Sequence, residues 1–271
     1  MPASFLYDNK LRSVQASVTV SSESTLYPKA NLYDENGAKV FRTANASSLH
    51  TVANDFGSAV AVDTVALINV NFRSTATIKV QASALSDFSV LDLDSTVVVS
   101  GLGQDPPHYN LFHKFGSLTR RYWRLSISDI SNPDGFYEIG EWVIGVRIDA
   151  ASKQDPELPY TETFPDANVM HETEWLHEYV YIRDVEDVRR IALEFNSVTA
   201  ATRDLLRKLK RFTKTGGHPF VFTHDHTASP AETFFVRMSS ELEIVRTTPT
   251  AYVVRLQLRE GARGTALPTD V

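Results

Sequence analysis

Arg120–Gly145 reads RRYWRLSISDISNPDGFYEIGEWVIG, and the alternation inside it decides the fold class. In Tyr122–Ser128, YWRLSIS, the residues Trp123, Leu125 and Ile127 fall on one side of an extended chain, while Tyr122, Arg124, Ser126 and Ser128 fall on the other. That period belongs to a half-buried antiparallel strand with its tryptophan turned inward. Asn132-Pro133-Asp134-Gly135 is a turn, and Phe136–Ile148 returns as a second strand in which Gly140 and Gly145 allow a bulge or a close backbone approach. The stretch therefore predicts a hairpin that closes a sandwich, with its aromatics in the core and its acids at turns or on the rim.

The same pattern extends outward from the hairpin. Thr75–Ala82, TATIKVQA, alternates strictly, whereas Val60–Val70 (VAVDTVALINV) and Ser95–Ser100 (STVVVS) are more uniformly apolar, as expected for strands covered on both faces. Asn36-Gly37 and Pro106-Pro107 add turns, and no helical period interrupts Leu11–Ile148. The expectation is a mainly β protein whose residues 1–148 form a β-sandwich or jelly roll of about eight strands.

Asp149–Asp166, DAASKQDPELPYTETFPD, is rich in proline and acids and marks a linker, placed at 149–168. Residues 169–262 read as a smaller β-rich α+β domain. Glu178–Arg183, Arg190–Phe195, Pro219–Thr223, Thr233–Ser239, Glu241–Arg246 and Tyr252–Leu258 are its strands, and a helix spans about 198–213. Val198, Ala201, Leu205, Leu209 and Phe212 recur every three or four residues, which predicts the buried face. Ser197 or Thr199 caps the start, and Gly216-Gly217 ends the helix. Residues 263–271 read as a tail.

Composition narrows the chemistry. The chain has 271 residues with a formal charge of −6, so it lacks the basic footprint of a nucleic-acid binder. With no cysteine, thiolate nucleophiles, thiolate metal sites and disulfides are excluded. The N-terminal MPASFLYDNKLRS has no signal-peptide pattern, and no apolar run is long enough for membrane insertion. Neither a G-x-S-x-G elbow nor a phosphate-binding glycine loop is present, and nothing calls for a cofactor. Acid pairs such as Glu138 with Glu141, or Asp184 with Asp187, are too easily drawn from 33 acids to identify a glycosidase, so no catalytic residue is assigned. His224 and His226, two apart in THDHTASP with His218, Asp225 and Glu232 as further donors, are the metal candidates, but at a polar hairpin tip they read as solvated and no metal is assigned. Arg203, Arg207, Lys208, Lys210, Arg211 and Lys214 make a local basic face on the helix, partly explained by the helix dipole. Of these, Arg203, Arg207, Lys208 and Arg211 are the candidates for a subunit interface.

Two resemblances rest on these residues. R-Y-W-R-L followed by a turn and I-G-E, together with Tyr27–Asp34 (YPKANLYD) and Val40–Thr43 (VFRT), resembles the two ends of a galactose-binding-like, discoidin-type jelly roll over about residues 10–148, with Phe41 where that family often has tryptophan. The resemblance implies a binding or assembly fold whose end loops contact sugars, here through Phe72, Arg73, His108 and Tyr109. Arg190–Phe195, R-D-L-L, G-G-H-P-F-V-F, F-F-V-R-M and Y-V-V-R-L-Q-L-R-E-G over about 170–262 are similar to domains of tail-tip and baseplate proteins of long-tailed bacteriophages, of the distal or minor tail type. That resemblance implies a non-enzymatic structural subunit made in the host bacterial cytoplasm and carried in the virion tail, forming a ring that contacts the tail tube and hub. A carbohydrate-binding module for a host cell-surface glycan is the alternative.

Overall fold

A computed structural model describes residues 3–13, 17–99, 108–149, 161–163, 169–172, 178–181, 189–214, 216–227 and 232–261. It is mainly β, with two large antiparallel sheets and one α-helix among the described residues.

Two long strands, His50–Val70 and Tyr109–Ser128, form the spine of a six-stranded sheet. Strands of 21 and 20 residues are far longer than usual, and they stay paired because the ribbon bends. Its register shifts between Asp55 and Val60, between Val62 and Thr64, and between Leu67 and Val70. Gly57 sits in the first shift at φ +71°, a left-handed conformation that glycine adopts without steric cost. On its outer edge each spine strand gains different neighbours. Tyr109–Ser128 pairs with Thr77–Ser83, which pairs with Leu93–Val97, while His50–Val70 pairs with Val18–Val20 and with Glu141–Gly145.

The inward residues make one core. Trp123, Leu125 and Ile127 are fully buried together with Val52, Ile78, Val80, Tyr137 and Trp142, as alternation predicts. Gly145 permits the expected close approach, because a Cβ there would stand 2.5 Å from the Asp8 carbonyl. Other expectations need correcting. Leu93–Val97 is a half-exposed edge strand, not one covered on both faces, since it has a single neighbour. The acids Asp129, Glu138 and Glu141 are buried, not on the rim, because the hairpin's return strand runs under the loops 34–49 instead of along the surface.

The second sheet has eight strands in the order Ile148–Asp149, Ser4–Leu6, Phe220–Thr223, Thr233–Met238, Tyr252–Glu260, Arg190–Val198 and Thr161–Thr163, with Glu243–Arg246 also on Tyr252–Glu260. Thr161–Thr163 lies in the stretch read as a linker, Ile148–Asp149 spans its start, and Ser4–Leu6 departs furthest from the sequence division. It belongs to the first 148 residues by position, yet it lies inside the C-terminal sheet, paired with Phe220–Thr223. Phe5 packs there on Phe195, Phe220 and Phe222. Leu6, Val221 and Phe235 of this sheet meet Ala66, Ile68 and Val143 of the other in a small shared cluster.

The helix spans Ala200–Thr213 and is capped by Thr199, whose hydroxyl accepts from the Thr202 N–H at 3.4 Å. Its buried face is Thr202, Leu206, Leu209 and Thr213, one residue on from the predicted stripe at three of its positions. Ala201 is exposed and Leu205 only half-buried. A helical side chain leans toward the N-terminal turn, so the patch it covers lies behind its own Cα, and packing selects the residue one further along. The helix ends at Lys214, left-handed at φ 47°, two residues before the predicted glycines. Among the described residues no helix is long and apolar enough to cross a membrane.

Candidate functional site

The polar side of the six-stranded sheet is open. Thr51 faces Ser126 across one strand pair, Ser126 faces Lys79 across the next, and Arg124 faces Gln81. With Leu49, Thr77 and Ser128 they line a trough of about 360 Å³. Three of its residues, Arg124, Ser126 and Ser128, are the outward-pointing partners of Trp123, Leu125 and Ile127, so one strand supplies both core and trough.

Its charged residues are connected in series. Lys79 Nζ donates to Asp94 Oδ2 at 2.7 Å, Gln81 Nε2 donates to Asp94 Oδ1 at 2.8 Å, and Arg124 Nε donates to Gln81 Oε1 at 2.6 Å. The Arg124 guanidinium lies over the Phe88 ring, 4.3 Å from its centroid. Hydrogen bonds from Lys79 and then Gln81 hold the Asp94 carboxyl below the usual range. Burial lowers the Arg124 pKa, with the Asp94 charge opposing. Leu49, 58% exposed, forms the apolar rim. Among the described residues no acid lines the trough itself.

The residues assigned to sugar contact fall in the loop of Phe72 and Arg73 and at the start of the Tyr109–Ser128 strand, and two of the four are interior. Phe72 is 1% exposed and packs edge-on against Tyr137, and Tyr109 is 9% exposed with its hydroxyl donating to the Phe72 carbonyl at 2.5 Å. Burial, then the Asp129 charge, raises the Tyr109 pKa. These rings cannot stack on a ligand, because closing this end of the sandwich consumes their surface. Arg73 stays at the surface, with its guanidinium on the Ser131 carbonyl at 3.1 Å and its N–H on Asp129 at 2.9 Å.

His108 donates toward a carboxylate below it, Nε2 lying 2.8 Å from Glu138 Oε2. Arg42 engages the other oxygen through Nε at 2.8 Å and Nη2 at 2.5 Å, and its guanidinium lies 3.9 Å from the centroids of both Tyr27 and Phe136. Burial works to raise the Glu138 pKa, but the His108 and Arg42 hydrogen bonds outweigh it and hold the carboxyl below its usual range. Glu141 is different. It accepts from the Glu35 N–H at 3.2 Å, and burial, reinforced by Asp34, drives its pKa well up. The two acids are thus buried structural groups in separate surroundings, and Asp184 and Asp187 lie outside the described residues.

The histidine pair is also interior. His224 and His226 are buried instead of solvated, and His226 Nδ1 lies 2.7 Å from Ser4 Oγ. Ser4 also donates to Asp149, which completes a serine, histidine and aspartate trio. In a nucleophilic triad the imidazole stands between hydroxyl and carboxylate. Here the hydroxyl stands between them and is fully buried, so the trio pins the N-terminal strand. Among the described residues no group of three His, Cys, Asp or Glu side chains is arranged to hold a metal ion.

On the helix, Arg203 turns onto its own fold, over the Tyr252 ring at 4.5 Å and against Asp204 at 2.9 Å. Arg207 reaches Asp204 at 3.4 Å, and Arg207, Lys208 and Arg211 are exposed. The trough itself went unassigned in the sequence. Its signal was the outward half of Tyr122–Ser128 and of Thr75–Ala82, but sequence does not reveal that the two polar rows lie side by side.

No protein-family model and no curated protein matches the chain. Solved structures with similar folds include a chitosan-binding module from a chitosanase/glucanase of Paenibacillus sp. IK-5, 17% identical, spanning 52% of this chain and 100% of that one at a TM-score of 0.41. Another is a CBM32 module from Clostridium perfringens in complex with GalNAc-β-1,3-galactose, 13% identical, 48% of this chain and 94% of that one, at 0.38. The lectin domain of lectinolysin, complexed with Lewis B antigen, is 16% identical over 51% of this chain and 95% of its own, also at 0.38. Likenesses of this degree assign no ligand to the present chain.

Proposed function

We propose that the chain is a non-catalytic binding protein whose six-stranded sheet recognises a carbohydrate in the open trough. The observation that carries this reading is the trough's lining. Hydroxyls of Thr51, Thr77, Ser126 and Ser128, the Gln81 amide and two cations converge on one shallow surface with an aliphatic rim at Leu49. Polyhydroxylated ligands need many directional hydrogen bonds and a little apolar surface, and concave sites with a few fixed polar groups supply both. Thr77 to Gln81 covers about 13 Å of strand at about 3.3 Å per residue, which suits a short run of sugar rings. Glycoside hydrolysis needs two carboxyls across the scissile bond, and none lines this surface.

The reading is tested by affinity electrophoresis and glycan-array binding of the intact chain and of Ser128→Trp, which fills the trough from an outward position. Retention by a polysaccharide, lost in Ser128→Trp, is the expected result. Binding to no glycan, or binding indifferent to the tryptophan, overturns it.

A second reading, a structural subunit of a phage tail tip or baseplate, is favoured by a separate observation. Ser4–Leu6 and Tyr252–Glu260, from opposite ends of the chain, share one sheet, and the outer side of its helix presents Arg207, Lys208 and Arg211. On this reading those cations meet an acidic neighbour in a homo-oligomeric ring that contacts tube and hub in the virion. Closed rings in negative-stain images, dispersed by Lys208→Glu with Arg211→Glu, are expected; a strictly monomeric protein at every concentration rules it out.

A further inference from the structure

The trough contains one cation held differently from every other described arginine on that sheet face, and we infer that it selects an acidic glycan, with Arg124 as the receptor for a carboxylate or sulfate group. The inference rests on the carbohydrate reading above and names the ligand class for that same site. Arg120 and Arg121 on the same strand are neutralised by aspartates, Arg120 by Asp92 at 2.7 Å and Arg121 by Asp55 at 2.6 Å. Among the described residues Arg124 has no acid in ion-pair contact. It is fixed instead by a neutral acceptor, the Gln81 amide oxygen, through Nε, and by the face of Phe88 beneath the guanidinium plane.

That arrangement occupies one edge of the guanidinium and leaves the Nη fork to a ligand. Gln81 cannot turn away, because Asp94 holds its amide nitrogen at 2.8 Å and is itself held by Lys79 at 2.7 Å. The Asp94 charge is thus spent on Lys79 and Gln81, and the Arg124 cation beside them lacks a direct counter-ion. Phe88 lies at φ 56°, a left-handed conformation that is sterically unfavourable for a non-glycine residue. Such strain persists only where the surroundings impose it. Here it lies at the residue that presents its ring to Arg124. A planar fork whose Nε and face are already engaged loses little freedom when it binds a planar anion through its remaining N–H groups. Partial burial of the cation, which lowers its pKa, also strengthens its attraction for an incoming anion.

The test is affinity electrophoresis of the intact chain in gels carrying polygalacturonate, a sulfated dextran or neutral dextran, at low and high salt. Because the protein's formal charge is −6, simple ion exchange opposes retention by either polyanion. Retention by polygalacturonate or the sulfated polymer, but not by neutral dextran, is expected, and comparison of the two anionic gels distinguishes carboxylate from sulfate. Arg124→Gln should weaken it by at least about tenfold, the worth of one charge-assisted hydrogen bond. Arg124→Lys, which keeps the charge and loses the fork, should fall between, and Arg121→Gln, which removes the same charge elsewhere, should bind like the parent. Equal retention of parent and Arg124→Gln overturns the acidic-ligand inference, and if a neutral glycan is then bound the broader carbohydrate reading survives. Retention that Arg121→Gln weakens as much as Arg124→Gln also overturns it, as bulk electrostatics. Retention by no polysaccharide removes both readings. Circular dichroism of each variant separates lost binding from lost folding.

Discussion

Arg42 and Arg124 are both guanidinium groups laid on aromatic rings, and they end in opposite situations. Arg42 sits between Tyr27 and Phe136 and spends Nε and Nη2 on Glu138, a carboxylate only 2% exposed. Arg124 sits on Phe88 with a neutral amide at Nε and an open fork. The aromatic platform orients the group in both places. What separates a structural arginine from one available to a ligand is whether the fold supplies the counter-ion.

The largest effect should come from breaking the closed pair. Arg42→Met leaves Glu138 buried with only His108 opposite, and removal of one member of a buried pair costs about 3 kcal/mol or more, to be read from urea unfolding midpoints. Arg42→Met combined with Glu138→Met should recover most of that loss, since apolar groups of similar volume need no counter-charge. A double variant as unstable as the single one would show that the rings, not the charges, require Arg42.

Acid should expose the same pair more gently. The Glu138 carboxyl is held below its unfolded value by His108 and Arg42 against burial, so the stabilisation it brings is present above the unfolded carboxylate pKa. It is lost as pH falls through the lower folded pKa. Unfolding midpoints followed downward from neutral pH should therefore drop less steeply in Glu138→Gln than in the parent. The smallest effect belongs to Arg124→Gln, whose group is half-exposed and has no acid to orphan; its stability should stay within about 0.5 kcal/mol of the parent. A large loss there would make Arg124 a second Arg42 and erase the contrast.

Much of the fold is legible because it depends on local period. Trp123, Leu125 and Ile127 face inward as the two-residue alternation requires, and Thr199 caps a helix whose extent is nearly that of its apolar spacing. The errors concern contacts between distant segments. Ser95–Ser100 carries three successive valines, yet the strand that overlaps it, Leu93–Val97, sits at an edge, since sequence does not number a strand's neighbours. Phe72 in a loop and Tyr109 at the start of a strand both fill the core's end, while the acids Glu138 and Glu141 are placed under the 34–49 segment.

By itself the sequence determined the strand character of this chain, the inward face of Tyr122–Ser128 and the helix near its C-terminal third, because each follows from repulsion, hydrogen bonding and burial among residues a few positions apart. Tertiary structure alone decided that Ser4–Leu6 joins the far end of the chain, that Glu138 receives Arg42, and that Arg124 meets Gln81 and Phe88. Those outcomes depend on which strands become neighbours. Pairing is a choice among many segments with similar alternation, and the shared packing of all of them selects one.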